Sequence, residues 1–228
     1  MLRFILSSLF AILFSAAAAA EPVPVRIMSF NIWYGGDQVN FNGIIEAIKK
    51  ADADIVGLQE PDGRTLEIAA LAGYPYADVR RHIISRFPLF DSGAGERTEE
   101  GNPLYSIAGV DSNTVHAWAL VAPGKVIAVA NTHLTSNPYG PELVRDGKTL
   151  EEVMQNETDT RLPEAQALAD GLSAVAKTGT PVFVTGDFNS PSHLDWTDTV
   201  AKSRPAVKVP VAWPVSKLMA DSGFTDSY

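Results

Sequence analysis

A carboxylate and a carboxamide stand two residues apart in the segment Gly186-Asp187-Phe188-Asn189. The apolar run from Pro181 to Thr185 precedes them and predicts a short buried strand. Side chains two apart on an extended backbone point the same way, so Asp187 and Asn189 are predicted to face one small volume. An acceptor that orients a water, beside an amide that donates to an oxyanion, suits hydrolysis of a charged ester. The alternative is a strand that ends in an ordinary Asx turn.

Three further apolar runs end on polar side chains that could act together with this pair. Each run predicts a strand. Buried polar groups are costly unless they are satisfied, so four such endings favour a functional cluster over chance. The runs are Arg26 to Trp33, which carries Asn31 near its end, Asp54 to Glu60, which ends on Glu60, and Val126 to Leu134, which carries His133.

In their order and spacing these segments resemble the endonuclease/exonuclease/phosphatase superfamily, which includes DNase I-like nucleases, neutral sphingomyelinases and inositol-phosphate phosphatases. The resemblance spans about residues 25 to 228. It implies an α/β fold, a DNase I-like four-layer sandwich of two stacked mixed β-sheets with helices outside. The matching strings are Ser29-Phe30-Asn31, Leu58-Gln59-Glu60, Thr132-His133-Leu134 and Gly186-Asp187-Phe188-Asn189, with a weaker one at Ile84 to Leu89.

Carried over position by position, the resemblance implies a metal-dependent phosphoesterase. Glu60 would be the main metal carboxylate, and Asn31 would be a neighbouring ligand or a contact to metal-bound water. His133 would stabilise the phosphoryl transition state. Asp187 would orient or deprotonate the attacking water, and Asn189 would hydrogen-bond a phosphate oxygen.

The residue types agree with a hard divalent cation. One carboxylate and an amide oxygen are too few ligands to enclose calcium. They suit magnesium, which keeps several bound waters and also binds phosphate oxygens of the substrate. Mn2+ is the possible substitute for Mg2+. The sequence contains no cysteine, which excludes a thiolate site. Its four histidines are scattered without HExxH-like spacing, which argues against a dedicated zinc site.

One departure from the superfamily concerns the end of the chain. The last family motif, an aspartate followed by a histidine on the final strand, is absent, and the chain stops at Tyr228. We therefore expect a C-terminally incomplete domain that lacks one catalytic histidine and the last strands of one sheet. Such a chain is expected to be nearly inactive.

Helical and strand patterns fill the segments between these motifs. Helices are predicted over 42–50, over 66–71 with Gly73 as the C-cap, and over 162–176, whereas strands are predicted at Leu104 to Val110 and at Thr114 to Ala122, before a turn at Pro123-Gly124-Lys125.

Polar connections near the predicted site supply candidate substrate contacts. The connection over 135–159 predicts either a lid or a solvated loop with a short helix. His193 and Trp196 follow the last strand and are candidate contacts, with a packed surface loop as the alternative. Arg161 begins a helix and either reaches a phosphate or is a helix-surface charge.

The first twenty residues differ in composition from the rest of the chain and are predicted to be a targeting segment. Arg3 precedes an apolar run over 4–14 and a small-residue stretch over 16–20, which together predict a secretory signal peptide cleaved before Glu21. The alternative, an uncleaved membrane anchor, is disfavoured because the apolar run is short for a bilayer. We therefore expect one domain over 21–228, secreted or periplasmic, with no stable membrane anchor after cleavage.

The formal net charge of −9 bears on the partner. A protein that grips polynucleotide backbones normally needs a basic face. The local basic concentrations, Arg80-Arg81-His82 and the stretch around Lys202, Arg204 and Lys208, are predicted to be solvated surface. The charge therefore disfavours duplex nucleic acid without excluding it, since a bound metal supplies local positive charge.

These observations predict a secreted, magnesium-dependent phosphoesterase whose partner is a small or lipid-like phosphate-ester substrate, either a monoester or a diester. Hydrolysis would proceed by attack of an activated water. Two alternatives stay open. One is a secreted nuclease on the same scaffold, and the other is an inactive remnant or binding protein that lacks the last catalytic motif.

Overall fold

The computed structural model describes residues 21–91 and 115–227. The predicted signal peptide over 1–20 and the predicted strand at Leu104 to Val110 lie outside these residues. Within them, eight strands form two four-stranded sheets. The strands are β1 (Ile27–Asn31), β2 (Ile55–Gln59), β3 (Tyr76–Asp78), β4 (Ile83–Ser85), β5 (Leu89–Asp91), β6 (His116–Ala122), β7 (Lys125–His133) and β8 (Val182–Asp187).

Each sheet contains one parallel pair. The first sheet has the order β1-β2-β4-β3, in which β1 and β2 run parallel and β4 is antiparallel to both of its neighbours. The second sheet has the order β5-β6-β7-β8, in which β7 and β8 run parallel and the other pairs are antiparallel. Both sheets are therefore mixed, which confirms the predicted fold class.

Seven α-helices surround the sheets in the described part of the chain. The predicted helices over 42–50, 66–71 and 162–176 are confirmed as α1, α2 and α5. The predicted cap is confirmed too, since α2 ends at Gly73 with a φ of 86°. The helices are α1 (Phe41–Ala51), α2 (Thr65–Ala72), α3 (Gly140–Arg145), α4 (Leu150–Asp159), α5 (Arg161–Ala176), α6 (Asp198–Ser203) and α7 (Pro214–Asp221).

The connection over 135–159 packs against the domain, and it contains the short helix that the sequence offered as one of its two alternatives. It contains α3 and α4, and α4 begins with a capping box in which Thr149 and Glu152 each accept from the other's backbone N–H. Val144 and Val153 are buried against Trp213. The polar composition of the segment concealed these few apolar anchors.

Three buried apolar clusters separate the layers of the molecule. The first lies between the first sheet and α1 and α2, the second lies between the two sheets, and the third lies between the second sheet and α5 and α7. The layers are therefore helices, sheet, sheet and helices, as in the predicted sandwich. Central members are Ile48 and Leu58 in the first cluster, Ile55 and Val129 in the second, and Leu172 and Met219 in the third.

The space between the sheets is apolar at one end and polar at the other. Strand side chains alternate between the two faces of a sheet. On β7, Ile127 and Val129 lie in the inter-sheet cluster, whereas Ala130 lies in the helix-facing cluster. Asn131 and His133 therefore continue the inward face beyond the apolar core. This polar end of the inter-sheet layer is where the candidate site lies.

The two sheets come close together at Gly57 of β2, where there is no room for a side chain. A Cβ atom there would lie 1.9 Å from Thr185 Oγ1 and 2.4 Å from Asn131 Oδ1. We expect Gly57→Ala to lower the free energy of unfolding by about 1–3 kcal/mol or more, because the sheets would have to separate. Urea unfolding followed by circular dichroism measures this loss.

Gly43→Ala is the matched control for this substitution. Gly43 lies in α1, and the nearest atoms to an added Cβ are 3.6 Å away, which is ordinary contact. Alanine is favoured in helices, so this variant should keep or gain stability. Equal unfolding curves for Gly57→Ala and the wild type would show that the sheets are not in tight contact at Gly57.

Candidate active site

Four strand-end side chains from both sheets converge at the polar end of the inter-sheet layer. Asn31 ends β1, Glu60 follows β2, His133 ends β7 and Asp187 ends β8. His133 and Asp187 are register partners in the parallel pair β7–β8. The sandwich thus brings together four of the five residues predicted from the strand endings. The fifth, Asn189, follows β8 and is hydrogen-bonded to Asp187.

The side-chain amide of Asn31 connects the two carboxylates. Its Nδ2 donates to Glu60 Oε1 at 2.9 Å and to Asp187 Oδ2 at 3.0 Å. Its Oδ1 accepts from the backbone N–H of Trp33 at 2.9 Å. The nitrogen of Asn31 therefore faces the carboxylates, and a role as a metal ligand would require the amide to turn over and give up these bonds.

His133 completes the cluster from the second sheet. Its Nε2 lies 4.0 Å from Glu60 Oε1 and 3.9 Å from Asp187 Oδ2. All three side chains are partly exposed, so a bound substrate can reach them. Among the described residues, Glu60 and Asp187 have no lysine or arginine within ion-pair distance. In the described part of the chain, the cluster therefore holds two carboxylates that form no ion pair with a lysine or arginine.

Glu60 reaches this cluster only because its backbone is left-handed. On a continued strand its side chain would point to the face opposite that of Gln59, towards the helices. Its φ of 55° turns the chain instead, a conformation that costs a non-glycine residue about 1–2 kcal/mol. The Tyr34 N–H donates to Glu60 Oε2 at 3.1 Å and the Gly35 N–H donates to Glu60 O at 2.7 Å, which holds this turn.

Asp187 and Asn189 meet through a turn, not along an extended strand as the sequence predicted. β8 ends at Asp187, and Asn189 has a φ of 48°. The Asn189 N–H donates to Asp187 Oδ1 at 3.0 Å, which is the Asx turn that the sequence left as the alternative. Asn189 Nδ2 donates to Leu134 O at 2.9 Å, so one amide hydrogen remains for a substrate.

A layer of polar side chains beneath the cluster joins the two sheets. Asn131 Oδ1 accepts from Gln59 Nε2 at 2.6 Å and from Thr185 Oγ1 at 2.9 Å, and Asn131 Nδ2 donates to Leu58 O at 2.8 Å. Ser29 Oγ accepts from the Gly186 N–H at 2.9 Å. Sequence reasoning missed this layer, although the strand pattern contained a signal for it. Ser29, Asn131 and Thr185 each lie two residues before a residue of the cluster on the same strand, and Gln59 directly precedes Glu60.

Two clefts open beside the cluster. One has a volume of about 520 Å3 and is lined by Asn31, Tyr139, Asp187 and Asn189, among others. The other, about 560 Å3, is lined by His133 together with residues of β7 and α5. Among the described residues lining the Asp187 cleft, none is lysine or arginine. Because one cleft lies beside His133 and the other beside Asp187, a group bound between these two residues would have open space on both sides.

Tyr139 is a cleft residue that sequence reasoning missed. It lies on the segment between β7 and α3, where the chain returns towards the Asp187 strand end. Burial raises the pKa of the Tyr139 hydroxyl above its usual value, and the negative charge of Asp187 adds to the rise. Its hydroxyl is therefore a neutral hydrogen-bond donor at physiological pH.

Arg161 is buried, which corrects its prediction as a substrate contact. Its side chain and that of Glu157 are both 0% exposed and form an ion pair, with Arg161 Nε 3.1 Å from each Glu157 oxygen. The remaining guanidinium nitrogens donate to Thr135 O and Pro138 O, each at 2.8 Å. Arg161 thus supports the wall of the cleft from inside the protein and cannot touch a substrate.

His193 and Trp196 also lie outside the cleft lining. The His193 ring Nδ1 lies 3.0 Å from Ser216 Oγ, on α7. Trp196 packs edge-on against the buried Trp213, with ring centroids 5.1 Å apart. Neither residue lines either cleft, so the alternative of a packed surface loop describes them better than substrate contact does.

The basic segment Arg80-Arg81-His82 is only partly solvated surface. Arg81 is buried and its Nη1 lies 2.5 Å from Asp78 Oδ2. His82 is half-buried beside Thr65 Oγ1, and burial lowers the pKa of its imidazole. Arg80 is exposed and lines the His133 cleft. Arg81 lines this cleft as well, so two cations of this segment border it.

The donor set of the cluster suits a hard divalent cation. No group of three or more histidine, cysteine, aspartate or glutamate side chains forms a ready-made metal centre in residues 21–91 and 115–227. The two neighbouring carboxylates without a lysine or arginine partner do fit a hard cation held mainly by Glu60 and completed by water and substrate oxygens. This is the manner of binding typical of magnesium.

No helix in the described ranges is both long enough and apolar enough to span a bilayer.

Comparisons with known proteins place this geometry in a family. The chain is 28% identical over 222 residues to the uncharacterized protein F14F9.5 of Caenorhabditis elegans, an alignment that covers 90% of this chain and 65% of that protein. The chain thus spans just under two thirds of that relative's length. No solved structure shows a significant match. Residues 28–215, which include every strand-end residue of the cluster, match the Endonuclease/Exonuclease/phosphatase family, and the chain therefore belongs to that family.

Proposed function

We propose that this protein is a secreted, magnesium-dependent phosphoesterase that hydrolyses a small or lipid-like phosphate ester by attack of an activated water. The observation that carries the proposal is the convergence of Asn31, Glu60, His133 and Asp187 within hydrogen-bond or ion-pair distance of one another. Proteins of this family are generally hydrolases of phosphoester bonds and typically depend on a divalent metal.

The side chains divide the chemical work. Asp187 is the acceptor that orients or deprotonates the attacking water, while Asn31 keeps its carboxylate aligned through the bond to Oδ2. His133 donates to the phosphoryl group as its negative charge grows. The free amide hydrogen of Asn189 donates to a phosphate oxygen from the wall of the cleft.

A magnesium ion held by Glu60 would polarise the phosphoryl oxygens and neutralise part of their charge. Glu60 is suited to this role because its two oxygens are fixed by Asn31 and by the Tyr34 N–H. A carboxylate that is already oriented loses little freedom when it binds a cation.

The surroundings of the cluster favour a small or lipid-like ester over a polynucleotide. The protein has a net charge of −9, and the described lining of the Asp187 cleft carries no lysine or arginine. Trp33 and Tyr34, whose backbone N–H groups bind Asn31 and Glu60, expose 52% and 57% of their surface. Exposed aromatic rings beside a phosphoesterase site suit a substrate with an apolar part.

A nuclease is the second candidate, and one observation favours it. Arg80 and Arg81 both line the cleft that contains His133, so positive charge borders this cleft and would attract a neighbouring phosphate. A nuclease would need further cations along the strand, and its binding would weaken steeply with salt.

A substrate screen tests the proposal directly. The full-length protein is incubated with bis(p-nitrophenyl) phosphate, p-nitrophenyl phosphate, phospholipid vesicles and duplex DNA, with magnesium or with chelator. We expect chelator-sensitive hydrolysis of a small ester or a phospholipid. Salt-sensitive cleavage of DNA alone would favour the nuclease, and no hydrolysis of any substrate would favour the binding protein.

We expect Glu60→Gln to weaken magnesium binding and activity together. Loss of the charged ligand should cost about 1.5–3 kcal/mol of binding free energy, the usual contribution of one charge-assisted contact. Titration calorimetry with magnesium measures this change. Glu46→Gln, on the exposed face of α1, is the matched control and should bind magnesium as the wild type does. Equal affinities in all three proteins would remove Glu60 from the metal site.

Secretion is part of the same proposal and has its own test. Expression in a bacterial host, followed by fractionation and mass spectrometry, should give a mature protein that begins at Glu21 outside the cytoplasm. Recovery of the intact N-terminus in the cytoplasm would contradict it.

A further inference from the structure

Tyr139 occupies a position in the Asp187 cleft that the proposed mechanism does not use. It lines the cleft together with Asn31, Asp187 and Asn189 and is half-buried there. Its backbone is engaged, since Tyr139 O accepts from the Glu142 and Leu143 N–H groups at the start of α3. Its hydroxyl has no hydrogen-bond partner among residues 21–91 and 115–227.

The segment that carries Tyr139 is held from beneath. The buried Arg161 donates to the carbonyls of Thr135 and Pro138, and Asn156 Nδ2 donates to Pro138 O at 3.0 Å. Such bonds fix the backbone on the N-terminal side of Tyr139.

The residue after Tyr139 is fixed by steric contact. A Cβ atom at Gly140 would lie 2.5 Å from the Trp213 ring and 2.6 Å from Glu157 Oε1. The segment therefore lies directly on the buried ion pair with no space between them. This close packing keeps Tyr139 at the mouth of the cleft.

The opposite wall of the cleft is attached to the same ion pair. Ser190, which follows Asn189, donates from Oγ to Glu157 Oε2 at 3.0 Å. Glu157 thus contacts both walls, the one with Tyr139 and the one with Asp187 and Asn189. Their separation is set by a group that is 0% exposed, so the cleft is preorganised in the absence of a substrate.

We propose that Tyr139 is a further catalytic residue, whose hydroxyl donates a hydrogen bond to a non-bridging oxygen of the phosphoryl group bound beside Asp187. The proposal rests on the phosphoesterase function above. An anionic phosphoryl group entering a cleft whose described lining has two carboxylate neighbours and no lysine or arginine needs neutral donors. A fixed phenol supplies one without adding a countercharge for either carboxylate.

Tyr139→Phe removes the hydroxyl and keeps the ring, and Tyr76→Phe on β3 makes the same change far from the cleft. With bis(p-nitrophenyl) phosphate and magnesium, we expect Tyr139→Phe to lower kcat by about 10- to 100-fold, as for a lost oxyanion donor. Its thermal unfolding and its magnesium affinity should equal those of Tyr76→Phe and the wild type.

A binding measurement keeps this inference separate from the proposed function. Inorganic phosphate is titrated in the presence of magnesium, and Tyr139→Phe should bind it about five- to tenfold more weakly than the wild type and Tyr76→Phe do. Equal phosphate affinity, or equal kcat in an active enzyme, would overturn the role of Tyr139. A wild type that binds phosphate through Tyr139 but hydrolyses no ester would overturn the phosphoesterase proposal alone.

Discussion

Asp187→Asn is expected to lower turnover by about two to four decades while leaving the fold intact, because it removes the acceptor that activates water. Asparagine keeps one side-chain oxygen, which can still accept the Asn189 N–H bond that forms the turn after β8. Its amide nitrogen cannot accept from Asn31 Nδ2, so that single bond is lost. The structural change is therefore small compared with the chemical one.

Steady-state kinetics of the full-length protein with bis(p-nitrophenyl) phosphate measures this effect. Asp170→Asn, on the exposed face of α5, is the matched control and should keep full turnover. Circular dichroism and magnesium titration should be the same for both variants. If Asp187→Asn raised KM and left kcat unchanged, Asp187 would bind the substrate and would not activate water.

Arg161→Met is expected to cost about 3–5 kcal/mol of folding stability, the usual effect of breaking a buried ion pair. Glu157 would be left as an uncompensated charge with a side chain that is 0% exposed. The carbonyls of Thr135 and Pro138 would also lose their bonds to the guanidinium group. Activity should fall with stability, because both walls of the cleft depend on this pair.

A control and a double variant make the Arg161 measurement specific. Arg145→Met removes an arginine that pairs with Glu142 and Asp146 at the surface, where its side chain is 61% exposed, and should change unfolding little. Arg161→Met combined with Glu157→Gln removes the stranded charge and should recover part of the stability. Urea unfolding that is equal for Arg161→Met and Arg145→Met would show that the pair is not buried in solution.

The sequence by itself determined the four strands that carry the cluster, the helices α1, α2 and α5, and the members of the cluster. The apolar runs ending on Asn31, Glu60, His133 and Asp187 predicted strands, and each run forms β1, β2, β7 or β8. These predictions succeeded because strand and helix periodicity is a local property that burial imposes on neighbouring residues. The sandwich followed from the resemblance that the four endings carry together, and the family match bears it out.

Only the tertiary structure decided how the side chains are oriented. Glu60 reaches the cluster through a left-handed backbone, and Asn189 meets Asp187 through an Asx turn and not through the strand alternation that the sequence predicted for that pair. Asn31 turns its nitrogen to the carboxylates because Glu60 and Asp187 arrive from different strands and both need a donor. Such choices depend on partners distant in sequence, which no local pattern contains.

The tertiary structure also separated the surface residues from the buried ones. Arg161 begins a helix, where a charge is normally solvated, yet Glu157 and two carbonyl groups satisfy it inside the protein. Tyr139 lies in a polar connection with no pattern of its own, and it reaches the cleft because the segment packs on that ion pair. Residue type and spacing identified what could do chemistry, whereas burial and long-range contacts determined which of those residues face a substrate.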